Sequence, residues 1–191
     1  MPSPRHQAYW SSANSRIPVG PTITPIRYTS EFIVATYYFS NGRDLDTRTK
    51  MVNPAIGDYI GWGRGATAGG GLLQWGGDNT GTGLESVAID INMYKAAYPG
   101  QSVITVDFRC FWYGLVGTNP VRLNVTLYKG GALRKVGFGF DNPTAVQSKA
   151  VSSASKTVTW FSQAASTNGQ GLARLTYNVN SGVGWFDTNL A

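Results

Sequence analysis

Histidine and cysteine are almost absent from the sequence, which contains one of each, His6 and Cys110. A single cysteine excludes an intrachain disulfide, and so few imidazole and thiol groups exclude a zinc site of the usual composition. Because His6 lies close to the start of the chain, the rest of the sequence offers no Ser–His or Cys–His nucleophile pair. Cys110 stands within an alternating apolar segment, which predicts a buried, unreactive thiol.

Glutamate is also scarce, since the chain has only Glu31 and Glu85 beside eight aspartates. No spacing among these acids singles out a carboxylate pair of the kind that glycosidases use. The glycine-rich residues 63–71 lack the Lys-Ser/Thr ending of a phosphate-binding loop. We therefore expect a protein that is not an enzyme and has no catalytic residues.

Charge is low, because Asp, Glu, Lys and Arg make up 14% of the chain, and the net charge is +6. The lysines and arginines are spread along the sequence without forming a run, so a nucleic-acid partner is not expected. No apolar segment reaches the length of a membrane span, and no signal-peptide pattern is present. We expect no membrane partner.

Glycine and aromatic residues are abundant, with 24 glycines and 13% aromatics. Residues 32–39 are β-branched and aromatic, and residues 103–113 and 121–128 alternate between apolar and polar side chains. Short strands separated by glycine turns predict an all-β fold, a β-sandwich of antiparallel strands over residues 31–191. We expect at most one short helix, near residues 92–98.

The connections between these strands are predicted from their composition. Residues 40–42 (Ser-Asn-Gly) and residues 114–120 are typical of hairpin loops. Residues 146–155 are rich in Ser and Ala, and we interpret them as a loop.

Residues 1–30 differ from the rest of the chain, since they hold five prolines, three arginines and no acid. Proline at this density is incompatible with a helix or a central strand, so we predict an extended N-terminal arm. An arm becomes ordered only on a supporting surface, either its own domain or a neighbouring subunit. We favour the neighbour, with Tyr9, Trp10 and Arg16 in the contact.

Two acidic segments have the chemistry of a calcium site. Asp44 and Asp46 flank Leu45, and in an extended chain their side chains point the same way. Residues 76–86 combine four glycines with Asp78, Asn79, two threonines and Glu85. Oxygen side chains on a glycine-bent backbone suit a hard cation. The alternatives are a solvated strand end for the first segment and a plain polar hairpin turn for the second.

These segments resemble the TerD-type tellurium-resistance and stress family. That family is similar in having an Asp-Leu-Asp strand end, a Gly-Asp-Asn loop with Thr-Gly, and a following Val/Ile-Asp strand, here residues 87–91. The resemblance covers roughly residues 32–140. It implies a β-sandwich that holds calcium between its loops, with Asp44, Asp46, Asp78 and Glu85 as ligands.

The chain departs from the family pattern in one respect that affects the metal. The family has several consecutive acids after the second glycine, whereas this chain has only Glu85, between Leu84 and Ser86. Fewer carboxylates lower the affinity for calcium. The resemblance is therefore compatible either with a calcium site or with a fold that has lost the metal.

Without a catalytic set, we expect a structural or assembly subunit that binds copies of itself or other structural subunits through the arm. Its composition is typical of a phage or virus particle protein, in the capsid or tail, which would place it in the virion. The alternatives are a calcium-binding, cytoplasmic stress protein of the TerD type and a carbohydrate- or receptor-binding module. In that last case the glycan platform would include exposed tryptophans among Trp62, Trp75, Trp112, Trp160 and Trp185, which otherwise belong to the core.

Overall fold

The computed structural model describes residues 23–40 and 42–191, except for the side chain of Ser152. The first eight strands are β1 (Ile23–Arg27), β2 (Phe32–Phe39), β3 (Leu45–Asn53), β4 (Ala55–Ile60), β5 (Thr67–Ala68), β6 (Leu73–Trp75), β7 (Gly83–Asp90) and β8 (Val103–Tyr113). The other seven are β9 (Val121–Lys129), β10 (Arg134–Val136), β11 (Gly139–Asp141), β12 (Gln147–Lys156), β13 (Phe161–Ser162), β14 (Gln170–Asn178) and β15 (Val183–Asp187).

These strands form two large sheets and a small hairpin. One sheet has the order β1-β15-β14-β8-β3-β4, with β13 paired in parallel to β8, and the other has the order β12-β9-β2-β7-β6-β5. Strands β10 and β11 pair only with each other. The predicted all-β sandwich of antiparallel strands is confirmed.

The core lies between the two sheets, where alternate side chains of each strand meet. From β8 it receives Ile104, Val106, Phe108, Cys110 and Trp112, all fully buried. Opposite them, Val121, Leu123, Val125 and Leu127 of β9 are also fully buried. Both sets are those that the sequence alternation predicts.

A single α-helix, α1 (Ile91–Ala97), occurs among the described residues, together with a 3₁₀ turn at Gly69–Gly71. The side chain of Asp90 caps α1, because its Oδ1 accepts a hydrogen bond of 2.8 Å from the amide of Met93. The helix lies where the sequence predicts it.

Both predicted hairpins are wrong. Residues 40–44 connect β2 to β3, and residues 114–120 connect β8 to β9, and in each case the two strands belong to different sheets. The turn composition indicates where the chain reverses direction, but it does not determine which strand becomes the partner. Both segments therefore cross from one sheet to the other, at the same end of the sandwich.

The loop predicted at residues 146–155 is also wrong, because Gln147–Lys156 forms strand β12 along the edge of the six-stranded sheet. Ser and Ala have little intrinsic preference for strands. Main-chain pairing with β9 nevertheless holds this segment, with a register shift between Ala150 and Ser153. Tertiary pairing has overridden local propensity.

The last part of the predicted arm belongs to the sandwich. Strand β1 pairs with β15, and Ile26 is buried in the core with 2% of its surface exposed. Pro25 lies in this edge strand, where a residue without an N–H group is tolerated. The predicted arm contacts of Tyr9, Trp10 and Arg16 lie outside the described residues.

Candidate metal centre

Three of the predicted ligands converge at one end of the sandwich. Leu45, the first residue of β3, is buried in the core, and Asp44 and Asp46 lie on either side of it in the chain. Asp78 comes from the loop that joins β6 to β7 in the opposite sheet. One carboxylate oxygen from each aspartate lies within 4.8 Å of the other two. The strand end and the loop therefore form one cluster.

One carboxylate oxygen of each aspartate in this cluster is buried without a partner among the described residues. Asp46 has only 1% of its surface exposed, and Asp44 and Asp78 are half-buried. Asp44 Oδ1, Asp46 Oδ2 and Asp78 Oδ1 are each shielded from solvent, and none has a hydrogen-bond partner among the described residues. Buried polar atoms are normally paired, and a metal ion could serve as the partner of these three carboxylates.

The pKa values of all three aspartates in the cluster are raised. Burial raises the pKa of Asp46 to about 7, and the neighbouring Asp44 contributes to the rise. Burial and the charge of Asp78 raise the pKa of Asp44 to about 6, and burial also raises the pKa of Asp78. A cation at this point would reverse these shifts, because it favours the ionised form of each carboxyl.

Glycine allows the β6–β7 loop to bring Asp78 to the cluster. Gly77 has φ of 115°, which is unfavourable for residues with a Cβ atom. At Gly83, where φ is 152°, a Cβ atom would lie 2.6 Å from Asn79 Nδ2. The loop is also tied to the β2–β3 crossover, since the amide of Gly42 donates a hydrogen bond of 2.7 Å to Thr82 Oγ1. The glycines thus shape the loop and allow its close internal contacts.

Glu85, the fourth predicted ligand, has a different environment. Its Oε2 accepts hydrogen bonds from Thr47 Oγ1 at 2.5 Å and from Trp75 Nε1 at 3.0 Å, and its Oε1 accepts one from the amide of Asn79 at 3.0 Å. Burial raises the pKa of Glu85 to about 8, and these three donors limit the rise. Glu85 thus lies outside the three-aspartate cluster and anchors Asn79, the neighbour of Asp78.

The position of Glu85 in the core has a signal in the sequence. Its side chain has the same parity as Val87 and Ile89 along β7, and all three are fully buried. A carboxylate at an inward position of a strand must find donors within the core. The alternation therefore favours an internal anchor at residue 85.

Arg48 was not identified from the sequence, although it borders the site. Its guanidinium is fully buried and donates to the carbonyl oxygens of Thr47, Ala165 and Thr167, and it stacks on the ring of Phe111 at 4.9 Å. Its positive charge lowers the pKa of Asp46, against the larger effect of burial. Arg48 therefore holds residues 165–167 against the seven-stranded sheet and partly offsets the acidic cluster.

The cluster fits calcium in ligand type and in size. Calcium takes six to eight oxygen ligands at about 2.3–2.6 Å, so oxygens up to about 5 Å apart can share one ion. Three carboxylates supply part of such a shell, and main-chain carbonyls or water would supply the rest. The described residues contain no histidine, and their one cysteine is buried, with its pKa raised well above the usual value. The donor set is therefore one for a hard cation.

The tryptophans within the described residues differ in their exposure. Trp112 is fully buried, whereas Trp160 and Trp185 have 53% and 47% of their surface exposed. Trp75 donates to Glu85, and Trp62 lies against Tyr113 with a ring separation of 5.5 Å. Among the tryptophans of the described residues, Trp160 and Trp185 are the two with enough exposed surface to be accessible to a ligand.

Comparison of the chain with protein-family models, curated proteins and solved structures finds no match. The resemblance to the TerD-type family therefore remains a prediction from the sequence. No helix within residues 23–40 and 42–191 is long and apolar enough to cross a membrane.

Proposed function

We propose that this protein is a non-enzymatic, calcium-binding β-sandwich, and that the ion sits between Asp44, Asp46 and Asp78. Two observations carry the proposal: the three aspartates each bring one carboxylate oxygen within 4.8 Å of the others, and each has one buried oxygen without a partner among the described residues. Like charges at this distance repel each other, and burial increases the cost. A divalent cation would compensate both effects.

The ion would act as a cross-link between the two sheets. Asp44 and Asp46 belong to the start of β3 in the seven-stranded sheet, while Asp78 belongs to the β6–β7 loop of the six-stranded sheet. Calcium bound to all three would tie the two layers together at the end where the chain crosses between them. Its role would be stabilisation of this end, with no chemical step.

Thermal unfolding with and without calcium tests this proposal. A ligand that binds only the folded state stabilises it by about 2.7 kcal/mol at 100 times its Kd. In a domain of this size that corresponds to a rise in Tm of about 5–10 °C. We expect Asp78→Ala to abolish the rise and Asp187→Ala, on the far strand β15, to retain it. An unchanged wild-type Tm in millimolar calcium would contradict the proposal.

We further propose that the protein is a structural subunit of a larger assembly, a phage or virus particle. An apolar patch on the outer face of the seven-stranded sheet favours this role. Its members are exposed to between 37% and 54% of their surface: Ile23, Val103, Val183 and Trp185. Ile23 directly follows residues 1–22, the proline-rich part of the chain, so the patch and this segment can act in one contact surface.

Sedimentation of three forms of the protein tests the assembly. They are the full chain, a chain that begins at Thr22 and retains β1, and the full chain with Trp185→Ser. We expect the full chain to associate as its concentration rises and the other two forms to remain monomeric. If all three sediment as the same monomer at every concentration, the assembly proposal is wrong.

A further inference from the structure

A groove on the outer face of the six-stranded sheet has the composition of a binding site. Strands β2, β9 and β12 lie side by side, and their register places Tyr38 beside Arg122 and Arg122 beside Ser155. A cavity of about 400 Å³ lies over these three side chains and is bordered by Ser40 and Pro120. This face points away from the core.

The groove continues along β2. A second cavity of about 220 Å³ shares Tyr38 with the first and is lined by Thr36, Ser86 and Phe140. The β10–β11 hairpin forms its wall, because residues Gly139–Asp141 lie over this part of the sheet. The two cavities meet at Tyr38, so a ligand that occupied both would contact β2 from Thr36 to Tyr38.

Arg122 is the charged group of the groove. Its guanidinium stacks on the ring of Tyr38 at 5.0 Å, and it forms no ion pair or hydrogen bond with another described residue. Two other arginines on the strands, Arg134 and Arg174, each form two hydrogen bonds with an aspartate. A guanidinium stacked on an aromatic ring keeps its N–H edge available, and this edge matches a carboxylate with two parallel hydrogen bonds.

Apart from Arg122 and Asp141, the polar side chains that line the two cavities are uncharged. Asn124 lies next to Arg122 on the same side of β9 and pairs with Thr36, and its Oδ1 is shielded from solvent without a partner among the described residues. Ser155 adds a hydroxyl group on the far side of Arg122. The one acid at the wall, Asp141, is already paired with Arg134. The groove is therefore positive, and its remaining groups suit hydroxyl partners.

We propose that this groove binds an acidic glycan, with the carboxylate of a sugar residue on Arg122. The sugar hydroxyls would bond to Ser155 and Ser40, which line the same cavity as Arg122, and the C–H face of the sugar would lie on the apolar surface that Pro120 and the Tyr38 ring provide. A sugar ring that carries both a carboxylate and several hydroxyls can contact more of the groove's side chains than a simple anion can. This site is separate from the metal centre and does not depend on calcium.

Amide chemical shifts of the full chain, recorded during titration, test the proposal. The acidic probes are trigalacturonate, a hyaluronan tetrasaccharide and 3′-sialyllactose, each added up to about 10 mM to include weak binding. The methyl ester of trigalacturonate is the neutral counterpart, and triglutamate is an anion without a sugar ring. The variants are Arg122→Gln and Arg122→Lys, with Arg27→Gln as an exposed arginine on the other sheet.

We expect at least one acidic saccharide to shift amides of β2, β9 and β12. Arg122→Gln loses the charged hydrogen bonds, so the affinity for that saccharide should fall about tenfold or more. The affinity of Arg122→Lys should fall less. Arg27→Gln should bind as the wild type does. If Arg122→Gln has a lower Tm than the wild type, the test is the affinity of Arg122→Lys for the saccharide compared with that of Arg27→Gln.

Three results would overturn the proposal. The first is the absence of shifts in the groove with all three acidic saccharides. The second is equal affinity of the wild type and of both Arg122 variants. The third is equal binding of triglutamate, or of the neutral ester, which would make the groove a general anion site or a site indifferent to charge. The variant Asp78→Ala should bind the saccharide normally, so failure of the calcium proposal is distinguishable from failure of this one.

Discussion

Two environments for buried carboxylates lie side by side in this protein, that of Glu85 in the core and that of Asp46 in the acidic cluster. Glu85 is fully buried and Asp46 is 1% exposed. Glu85 accepts three hydrogen bonds from the protein, whereas one oxygen of Asp46 has no partner among the described residues and faces two other aspartates. Burial raises the pKa of both groups, but only one of them has donors that compensate.

The difference separates a structural acid from a ligand. An acid whose oxygens are bonded within the protein contributes to the fold with or without calcium, and its loss leaves the donors unpaired. An acid whose oxygens are buried without partners destabilises the protein until a cation arrives. The predictions below change one environment while the other is left intact.

The largest effect is expected for Glu85→Ala. It leaves Thr47, Trp75 and Asn79 without their acceptor, at a cost of about 3 kcal/mol or more in the free energy of unfolding. Urea unfolding should show this loss both in calcium and in a chelator. Glu31→Ala is the matched control, since Glu31 accepts one hydrogen bond, from the amide of Gly130. A loss that occurs only in calcium would mean that Glu85 is a ligand after all.

The effect of Asp46→Asn on stability should be opposite in calcium and in a chelator. In a chelator the variant removes a buried charge next to Asp44, so we expect it to be more stable than the wild type by roughly 1 kcal/mol, or about 2–4 °C in Tm. In calcium it should be the less stable of the two, because it loses most of the ion's stabilisation. Melting curves under both conditions measure the difference. A variant that is less stable in both would contradict the account.

The stability of the metal-free protein should depend on pH. The pKa values of Asp44, Asp46 and Glu85 are raised to about 6, 7 and 8 in the folded state. The folded state therefore retains protons that the unfolded chain has released, and the free energy of unfolding falls as pH rises. This stabilisation is fully present below about pH 4 and is lost as pH rises from about 4 to about 8.

Calcium should oppose this fall, because it binds the ionised carboxyls and its stabilisation grows over the same pH range. Urea unfolding at pH 5 and pH 8, each with calcium and with a chelator, provides the four values. Asp46→Asn serves as the control, since in the chelator it should reduce the pH dependence to the part that Asp44 and Glu85 contribute. A metal-free protein that gains stability from pH 5 to pH 8 would show that the carboxyls titrate in the opposite sense.

The smallest effect is expected for Trp75→Phe. The variant keeps most of the ring and removes only the Nε1–H group that donates to Glu85 at 3.0 Å. We expect a loss of about 1 kcal/mol and an unchanged rise of Tm in calcium. Trp185→Phe, at an exposed position, should have no measurable effect. A loss of the calcium response in Trp75→Phe would mean that Glu85 and the aspartates form one unit.

Much of the sandwich can be predicted from the sequence, because apolar and polar residues alternate clearly in its central strands. Val103 to Tyr113 and Val121 to Lys129 have the period of a half-buried strand, and both form strands. Strand β12 lacks that signal, since its Ser and Ala residues are held by pairing with β9. The strands on either side of residues 40–44 and 114–120 pair in different sheets. Which sheet each strand joins depends on how the two sheets stack, and no local sequence pattern encodes this.

The sequence predicts the residue types of the candidate site, but it predicts less of the site's geometry. The spacing of Asp44 and Asp46 predicts their shared direction, and the glycines around Asp78 predict a bent loop. Their convergence depends on the position of β3 opposite β7, which is a tertiary property. Arg48 gave no signal, because a buried arginine that binds main-chain carbonyls has no characteristic spacing.

Calcium binding measured by isothermal titration at pH 8, in wild type and in Asp78→Asn, tests the central claim most directly. We predict one saturable calcium site per chain in the wild type, no saturable binding in Asp78→Asn, and wild-type binding in Glu31→Ala. If the wild type shows no saturable binding up to millimolar calcium, or if Asp78→Asn binds equally well, the three aspartates do not form a calcium site.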